Sequence, residues 1–478
     1  MKTGIITVTV IFLLIPFLAF GVNGSIEYNG EQEILNLWGN NYEMGYAQGY
    51  LLNQRIIDLF VDYLFNGLGI SPAVYTYLYN QYWNYFTVPS HYRTEAKGLL
   101  DGILDAGLSI YLDSLSRNMD STDVLITNSF GDISYIFSYL NPFGCSSLSS
   151  WGNATLVDTL LNGDIIMGRN LDFTHTEMML RNALIMTFDP DTGKDWVGFG
   201  YPGIISSISG MNEDMLAVEM NMGYHTNTIN FSSKFEPFQF TQREILEISD
   251  YNGNDTVNYR DVFEKCIDSP NSGSWLCHTM VPYIDSSTIA AAVIECVNES
   301  GDTFRTAEND TNLRPWNLLL LNHEEVNYAP IYDPRYSIVL DSINADSNIT
   351  TERMFNIMRA VSSYNTIQTM LFLPNDSMFA ISFADSLHNA ANKTPYWYRW
   401  VDLFPNHSGG VEEIKPVEKQ SNILLYSEFI KLLKKGEVIA YNISGRRVNL
   451  AEILSISSGI YFIRRENPTR IYKLLILR

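Results

Sequence analysis

Phe143-Gly144-Cys145-Ser146-Ser147 marks the point where the texture of this chain changes. Before it the pattern is helical. Residues 42–66 set Met44, Leu51, Leu52, Ile56, Leu59, Phe60, Tyr63 and Leu64 at helical spacing, and Glu95–Tyr111 and Thr122–Leu140 follow after an aromatic-rich stretch at 74–87. After it come short β-like runs: Ser146–Trp151, Asp164–Arg169, Ala183–Phe188, Trp196–Phe199, Ile204–Ser209 and Met215–Asn221. Asn162-Gly163, Pro190-Asp191-Thr192-Gly193, Tyr201-Pro202-Gly203 and Asn212-Glu213-Asp214 supply turn chemistry between them, so an antiparallel sheet is predicted. Helical pattern returns at Phe240–Ser249, Tyr259–Asp268 and Thr351–Val361. Strand pattern returns at Ser287–Val297, Thr303–Thr306 and Trp316–Asn322, and a last hairpin joins Thr369–Leu373 to Met378–Phe383. This alternation predicts an α+β domain of layered sheets covered by helices.

A thiol at such a junction has one specific chemical use. If the Gly144–Cys145 bond breaks, Cys145 becomes an N-terminal residue carrying both a nucleophile and a base. An α-amine with a pKa of about 7.7–8 can take the proton of a thiol near about 8.5. Gly144 suits the scissile position because it has no Cβ to obstruct the approaching sulfur. An isolated cysteine is more often just buried, so the neighbours decide. Gly168-Arg169-Asn170-Leu171-Asp172 ends the second strand of the hairpin whose first strand carries Cys145. Arg169 and Asp172 are thereby expected at the thiol's end of the sheet, where a guanidinium favours thiolate and a carboxylate holds an α-ammonium. A solvated surface ion pair is the plainer alternative for them.

The rest of the chain narrows the setting. At 478 residues it exceeds the size of one hydrophobic core, so a large domain with a smaller companion is expected. Hydrophobic residues at 46% and charged residues at 18% exclude a disordered chain. A net charge of −22 argues against gripping nucleic acid. Residues 421–478 hold ten Lys/Arg and four Glu, net +6, so the first 420 carry −28. Lys2 and the apolar run Ile5–Phe20, followed by Ala19, Gly21 and Gly24, read as a signal peptide over residues 1–24. No later run is long enough to span a bilayer. Secreted or cell-surface placement is the expectation. Four cysteines do not make a disulfide scaffold; Cys266 and Cys277 are spaced to close a small loop, and Cys296 reads as a buried thiol. Seven histidines without metal-ligand spacing give no expected metal site, and no cofactor is expected.

The chain resembles the N-terminal nucleophile cysteine hydrolases that include acyl-coenzyme A:6-aminopenicillanic acid acyltransferase and the bile salt hydrolase and penicillin V acylase relatives. Seven stretches carry the resemblance, in order: residues 42–52 (Tyr42-Glu43-Met44-Gly45-Tyr46 through Gly49-Tyr50-Leu51-Leu52), Gly144-Cys145-Ser146-Ser147, Gly152-Asn153-Ala154-Thr155, Gly168-Arg169-Asn170-Leu171-Asp172, Gly210-Met211-Asn212-Glu213, Ala292-Val293-Ile294-Glu295 and Asn322-His323. The resemblance implies a four-layer αββα fold over residues 145–405, preceded by a helical leader at 25–144. It implies Cys145 as nucleophile, Arg169 and Asp172 as its partners, and Asn322 as the amide donor to an oxyanion. Asn221 and Arg353 match weaker substrate-binding positions, and His323 reads as structural. Arg169 stands where the acyltransferase tends to carry glutamine, and the spacing from Cys145 to Asp172 is long because Leu156–Asn162 extends the hairpin.

Residues 406–420 read as a linker. Beyond it, Tyr441-Asn442-Ile443-Ser444-Gly445-Arg446-Arg447-Val448, Ser458–Ile463 and Lys473–Arg478 resemble the C-terminal sorting domain of type IX secretion cargo, a small β-sandwich over 421–478. The expected activity is self-processing at Gly144–Cys145 followed by hydrolysis or transfer of a small-molecule acyl-amide or acyl-ester, with the leader either released or retained as a second chain. A non-catalytic envelope binding protein on the same scaffold and a lipid-amide or phospholipase B-like hydrolase are the alternatives.

Overall fold

The computed structural model describes residues 22–137, 143–173, 176–223, 231, 233–298, 302–309, 313, 315–322 and 333–404, together with the backbone of four strands between 438 and 476. Residues 1–21 of the signal segment expected over 1–24, the linker at 406–420 and His323 lie outside the described residues.

The segment before Cys145 opens with a hairpin, β1 (Gly24–Asn29) and β2 (Gln32–Gly39), before its helices begin. Helix α1 (Asn41–Val61) starts at a capping box in which Asn40 and Glu43 satisfy each other's backbone N–H groups. The aromatic-rich stretch is itself a helix, α2 (Pro72–Tyr85), entered through Ser71 and Pro72. Helix α3 (Ser90–Asp105) lies hard against α1. Gly45 and Gly49 face the carbonyls of Glu95 and Leu99, and Gly98 and Gly102 face those of Tyr42 and Tyr46. A Cβ at any of the four would overlap an oxygen. Tyr42 and Tyr46 then reach across to Asp101 and Asp105 at 2.8 and 2.9 Å.

A two-stranded ribbon, β3 (Tyr111–Leu112) and β4 (Arg117–Asn118), leads to α4 (Ser121–Thr127) and α5 (Phe130–Phe137). One continuous helix over 122–140 was the expectation. It breaks at Asn128, whose side chain donates to the carbonyls of Val124 and Gly203 and accepts from the amides of Ile205 and Ser206. The same bonds explain why the strand expected at Ile204–Ser209 starts only at Ser209: two of its amides are already engaged.

Two sheets follow. Strands β5 (Phe143–Ser150) and β6 (Ile166–Phe173) form the expected hairpin. After α6 (Glu177–Asn182) come β7 (Leu184–Pro190), β8 (Trp196–Gly200), β9 (Ser209–Asn212) and β10 (Ala217–Met222). Helices α7 (Phe238–Ile248) and α8 (Tyr259–Asp268) precede β11 (Ser274–Met280), β12 (Ala291–Val297), β13 (Thr303–Arg305) and β14 (Asn317–Leu320). Helices α9 (Pro334–Ala345) and α10 (Thr351–Ala360) are followed by β15 (Thr366–Leu373), β16 (Met378–Phe383), β17 (Tyr396–Arg399) and α11 (Trp400–Leu403). One sheet has nine strands, ordered β1-β2-β7-β8-β9-β10-β11-β12-β13; the other has six, ordered β14-β5-β6-β15-β16-β17. The leader is therefore more than helical. β2 pairs in parallel with β7, Ile34 opposite Ile185 through Gly39 opposite Pro190, so the leader supplies the edge of the larger sheet.

Alternation sorts the six-stranded sheet's side chains to two faces. Leu148, Ile166, Leu319 and Leu371 pack with Val339 of α9 and Met354 and Met358 of α10. Cys145, Met167, Leu171 and Met370 point the other way and join the core shared with the nine-stranded sheet. The chain divides at residue 406, and the unit after it holds β18 (Val438–Asn442), β19 (Arg447–Val448), β20 (Gly459–Glu466) and β21 (Thr469–Ile476). These form one antiparallel sheet ordered β19-β18-β20-β21.

Candidate active site

The register of β5 against β6 does most of the assembly. Gly144 lies opposite Asp172, Cys145 opposite Leu171 and Ser147 opposite Arg169, so Cys145, Ser147 and Arg169 share the face toward the nine-stranded sheet. Arg169 is fully buried, not a surface cation. Its Nη2 donates to the carbonyl of Met220 at 2.9 Å and lies 3.7 Å from the Cys145 sulfur, while Nη1 donates to Asn221 Oδ1 at 2.8 Å. Glu219 makes the ion pair that neutralises this guanidinium. Asp172 accepts from the Thr366 hydroxyl, and its Oδ2 sits 3.4 Å from where a Cβ on Gly144 would stand. A larger residue at 144 would press on that carboxyl group.

Asn322 lies just past the end of β14, where its Oδ1 accepts from the Cys145 backbone N–H at 2.9 Å and from Arg335 Nη2 at 2.8 Å. Its Nδ2 donates to the Met222 carbonyl at 2.7 Å. Arg335, in the first turn of α9, donates from Nη1 to the Cys145 carbonyl at 2.9 Å and is gripped by Asp333 at 2.7 Å. Both backbone polar atoms of Cys145 are thus held by side chains that lie 177 and 190 residues away in the chain.

Burial pushes the Cys145 thiol pKa up, against the pull of Arg169. Burial likewise raises Asp172, against Thr366 and Arg335. Among the described residues two guanidiniums, Arg169 and Arg335, face the carboxylates of Glu219 and Asp333, with Asp172 3.7 Å from Arg335 as the additional acid. Asp172 thus stands beside the Gly144–Cys145 bond with its burial, not a close cation, setting the direction of its pKa.

The structure brings Cys145, Arg169, Asp172, Asn322 and Asn221 close together. Arg353 does not join them. It opens α10, and its Nη2 donates to the carbonyls of Ser342 and Asp346, securing the end of α9. Glu219, Asp333, Arg335 and Thr366 were not singled out by sequence reasoning. Glu219 lies two residues before Asn221 on one face of β10, and that alternation was the available signal. The expected Cys266–Cys277 loop is absent: all four cysteines are free and buried, because Cys266 on α8 and Cys277 on β11 are core thiols. Among the described residues no group of three or more His, Cys, Asp or Glu side chains is placed to hold a metal ion, and no helix is long and apolar enough to cross a membrane.

Beside the site lies an apolar cavity of about 80 Å³. Leu171, the cross-strand neighbour of Cys145, and Phe173 and Ile367 wall it from the core; Ile56, Phe60 and Tyr63 wall it from the leader.

No family model matches the chain. An uncharacterized protein of Archaeoglobus fulgidus is 27% identical over 226 residues, 45% of this chain and 37% of that protein. Protein dcd1A of Dictyostelium discoideum is 23% identical over 244 residues, 45% of this chain and 50% of that protein. The chain therefore spans half or less of the length of these relatives. Among solved structures, a Caenorhabditis elegans N-acylethanolamine-hydrolyzing acid amidase ortholog matches with a TM-score of 0.38 and 16% identity, over 48% of this chain and 93% of that one. A penicillin V acylase from Agrobacterium tumefaciens matches with a TM-score of 0.35 and 11% identity, over 54% and 88%. A variant conjugated bile acid hydrolase from Clostridium perfringens matches with a TM-score of 0.33 and 13% identity, over 57% and 100%.

Proposed function

We propose that this chain is an exported, self-processing cysteine amidohydrolase or acyltransferase with the four-layer αββα fold of N-terminal nucleophile hydrolases. The observation that carries the reading is the hold on Cys145: amide on Asn322, carbonyl on Arg335, sulfur beside Arg169, and Asp172 against Gly144. In the precursor the sulfur attacks the Gly144 carbonyl carbon, the thiol's proton passes by way of the Asp172 carboxyl group to the Cys145 nitrogen, and the C–N bond breaks. Water then cleaves the thioester, leaving a Gly144 carboxylate, a free thiol and an α-amine on Asn322 Oδ1.

The mature sulfur would attack an acyl-amide or acyl-ester, and water or an amine would take the acyl group. Arg335 is the donor already aimed at a carbonyl oxygen. The oxyanion role expected of Asn322 requires its Nδ2–H, now on Met222, to turn toward the substrate. The cavity beside Leu171 favours an apolar acyl group, the lipid-amide variant of the reading. Because β2 is built into the larger sheet, the leader would stay bound after scission. In this reading residues 1–24 direct export and residues 421–478 serve as a sorting module.

Intact-mass and N-terminal analysis of the purified protein tests the proposal. Wild type is expected as two chains broken at 144–145, and Cys145→Ala as one chain without amidase activity. An uncut wild type, with activity surviving Cys145→Ala, overturns it.

A further inference from the structure

Behind Glu219 lies a polar chain that the proposed reaction does not use. Ser147, Ser149, Glu219 and His278 are all fully buried between the two sheets. The Ser147 hydroxyl donates to Glu219 Oε1. Ser147 Oγ also lies 2.8 Å from His278 Nδ1, and Ser149 Oγ lies 2.9 Å from His278 Nε2.

Proton counting gives this chain one direction. Glu219, paired with Arg169, is a carboxylate and accepts only. Ser147 owns one hydroxyl proton and spends it on Glu219, so toward His278 it can only accept. His278 must therefore carry its proton on Nδ1, and its bare Nε2 must accept from Ser149. Burial, together with the cations Arg305 and Arg169, pushes the imidazole well below its ordinary pKa, so the ring stays neutral and can act as donor at one nitrogen and acceptor at the other. The bonds run Ser149 to His278, His278 to Ser147, Ser147 to Glu219, and Glu219 then fixes Arg169 beside the Cys145 sulfur.

We propose that His278, held as the Nδ1–H tautomer between Ser149 and Ser147, is a positioning residue that orients Glu219 and, through it, sets Arg169 against Cys145. The role rests on the reading of Cys145 as nucleophile, but the tautomer does not, and the two can be tested apart.

Nitrogen-15 spectra of histidine-labelled full-length Cys145→Ala protein report the ring state without any catalysis. The expected result is one histidine with a protonated Nδ1 that does not titrate from about pH 5 to about pH 8. Its signal is assigned by its loss in His278→Asn. An Nε2–H tautomer, or titration in that range, overturns the proposal whatever the protein's activity.

A pair of substitutions in the otherwise native protein then tests positioning. Asparagine places an N–H where Nδ1 stands and keeps the bond to Ser147. Glutamine reaches the Nε2 position and keeps Ser149 alone. Self-cleavage is expected to slow about threefold in His278→Asn and thirtyfold or more in His278→Gln and Ser147→Ala, with melting temperatures of the two amide variants within a few degrees of each other. Equal losses in both amide variants reduce His278 to a packing residue and overturn the proposal. Should wild type not cleave at all, the reading of Cys145 fails instead, and the spectra still decide the tautomer.

Discussion

Among the described residues Arg243 and Arg169 are both fully buried, and they are neutralised in different ways. Arg243 on α7 has two carboxylates, Glu95 at 2.8 Å and Glu247 at 2.8 Å, and its guanidinium lies 4.7, 5.1 and 5.4 Å from the ring centres of Tyr92, Phe188 and Trp196. Burial alone would weaken its hold on the proton, yet Glu247 and Glu95 outweigh it and the net direction is upward. Arg169 has a single carboxylate, neutral acceptors on Asn221 and Met220, and a thiol; burial pulls its pKa down. Arg243 joins the leader, through Glu95 and Tyr92, to the domain that follows Cys145. Its charge is saturated, which suits a tie. Arg169 keeps one nitrogen turned to sulfur, which suits a group that must respond when charge appears there. The number of carboxylates around a buried cation, not its burial, separates the two roles.

The comparison breaks most visibly at Arg243. Arg243→Met would leave Glu95 buried without its cation, and the loss is expected at about 3–5 kcal/mol. Urea titration checks it, and in a cleaved preparation the leader should dissociate first. Loss of Gly144–Cys145 cleavage at full stability would place Arg243 in the chemistry and erase the distinction. Arg169→Lys is the reciprocal case. A single ammonium cannot serve Asn221, the Met220 carbonyl and the sulfur together. Processing is expected to slow about 100-fold, near 2.7 kcal/mol, with melting within a few degrees of wild type. A large drop in melting temperature would make Arg169 a second tie.

The sequence shows only part of the site around Arg169. Cys145, Arg169 and Asp172 sit on a hairpin with turn residues between its strands, so pairing places them together from local pattern alone. Glu219, His278 and Arg335 reach the same point from β10, β11 and α9. Their arrival depends on how one sheet packs on another, and no local period records that. The leader's strands were missed for a related reason: β2 finds its partner in β7, about 150 residues on, and that pairing is parallel. Helix α2 was hidden by its tyrosines, since aromatics favour strands, but Tyr75 and Tyr82 turn inward to hydrogen-bond Asp123 and Ser129 at 2.8 Å each. Arg353 was read as a site residue because a resemblance carries positions, not neighbours.

Asp132 sharpens the comparison from the acidic side. It lies on α5, the leader's last described helix, and takes hydrogen bonds from Ser272 at 2.6 Å, Trp275 Nε1 at 3.0 Å and the Phe238 amide at 3.0 Å, all in the following domain. These donors are neutral, and no ion pair joins Asp132 among the described residues. Burial outweighs them and lifts its pKa to about 7. Because the folded value lies above the unfolded value of about 3.9, the folded chain binds the extra proton between those two pH values. Stability from this group is complete below about pH 4 and is lost as pH rises toward 7, at a slope of up to about 1.4 kcal/mol per pH unit. Asp132→Asn removes the titration, so the difference in unfolding free energy between wild type and variant should fall across that window and level off above it. A difference that stays flat with pH would mean that the three neutral donors hold the carboxylate as well as a cation does, and the count of charged partners would no longer distinguish a tie from a responsive site.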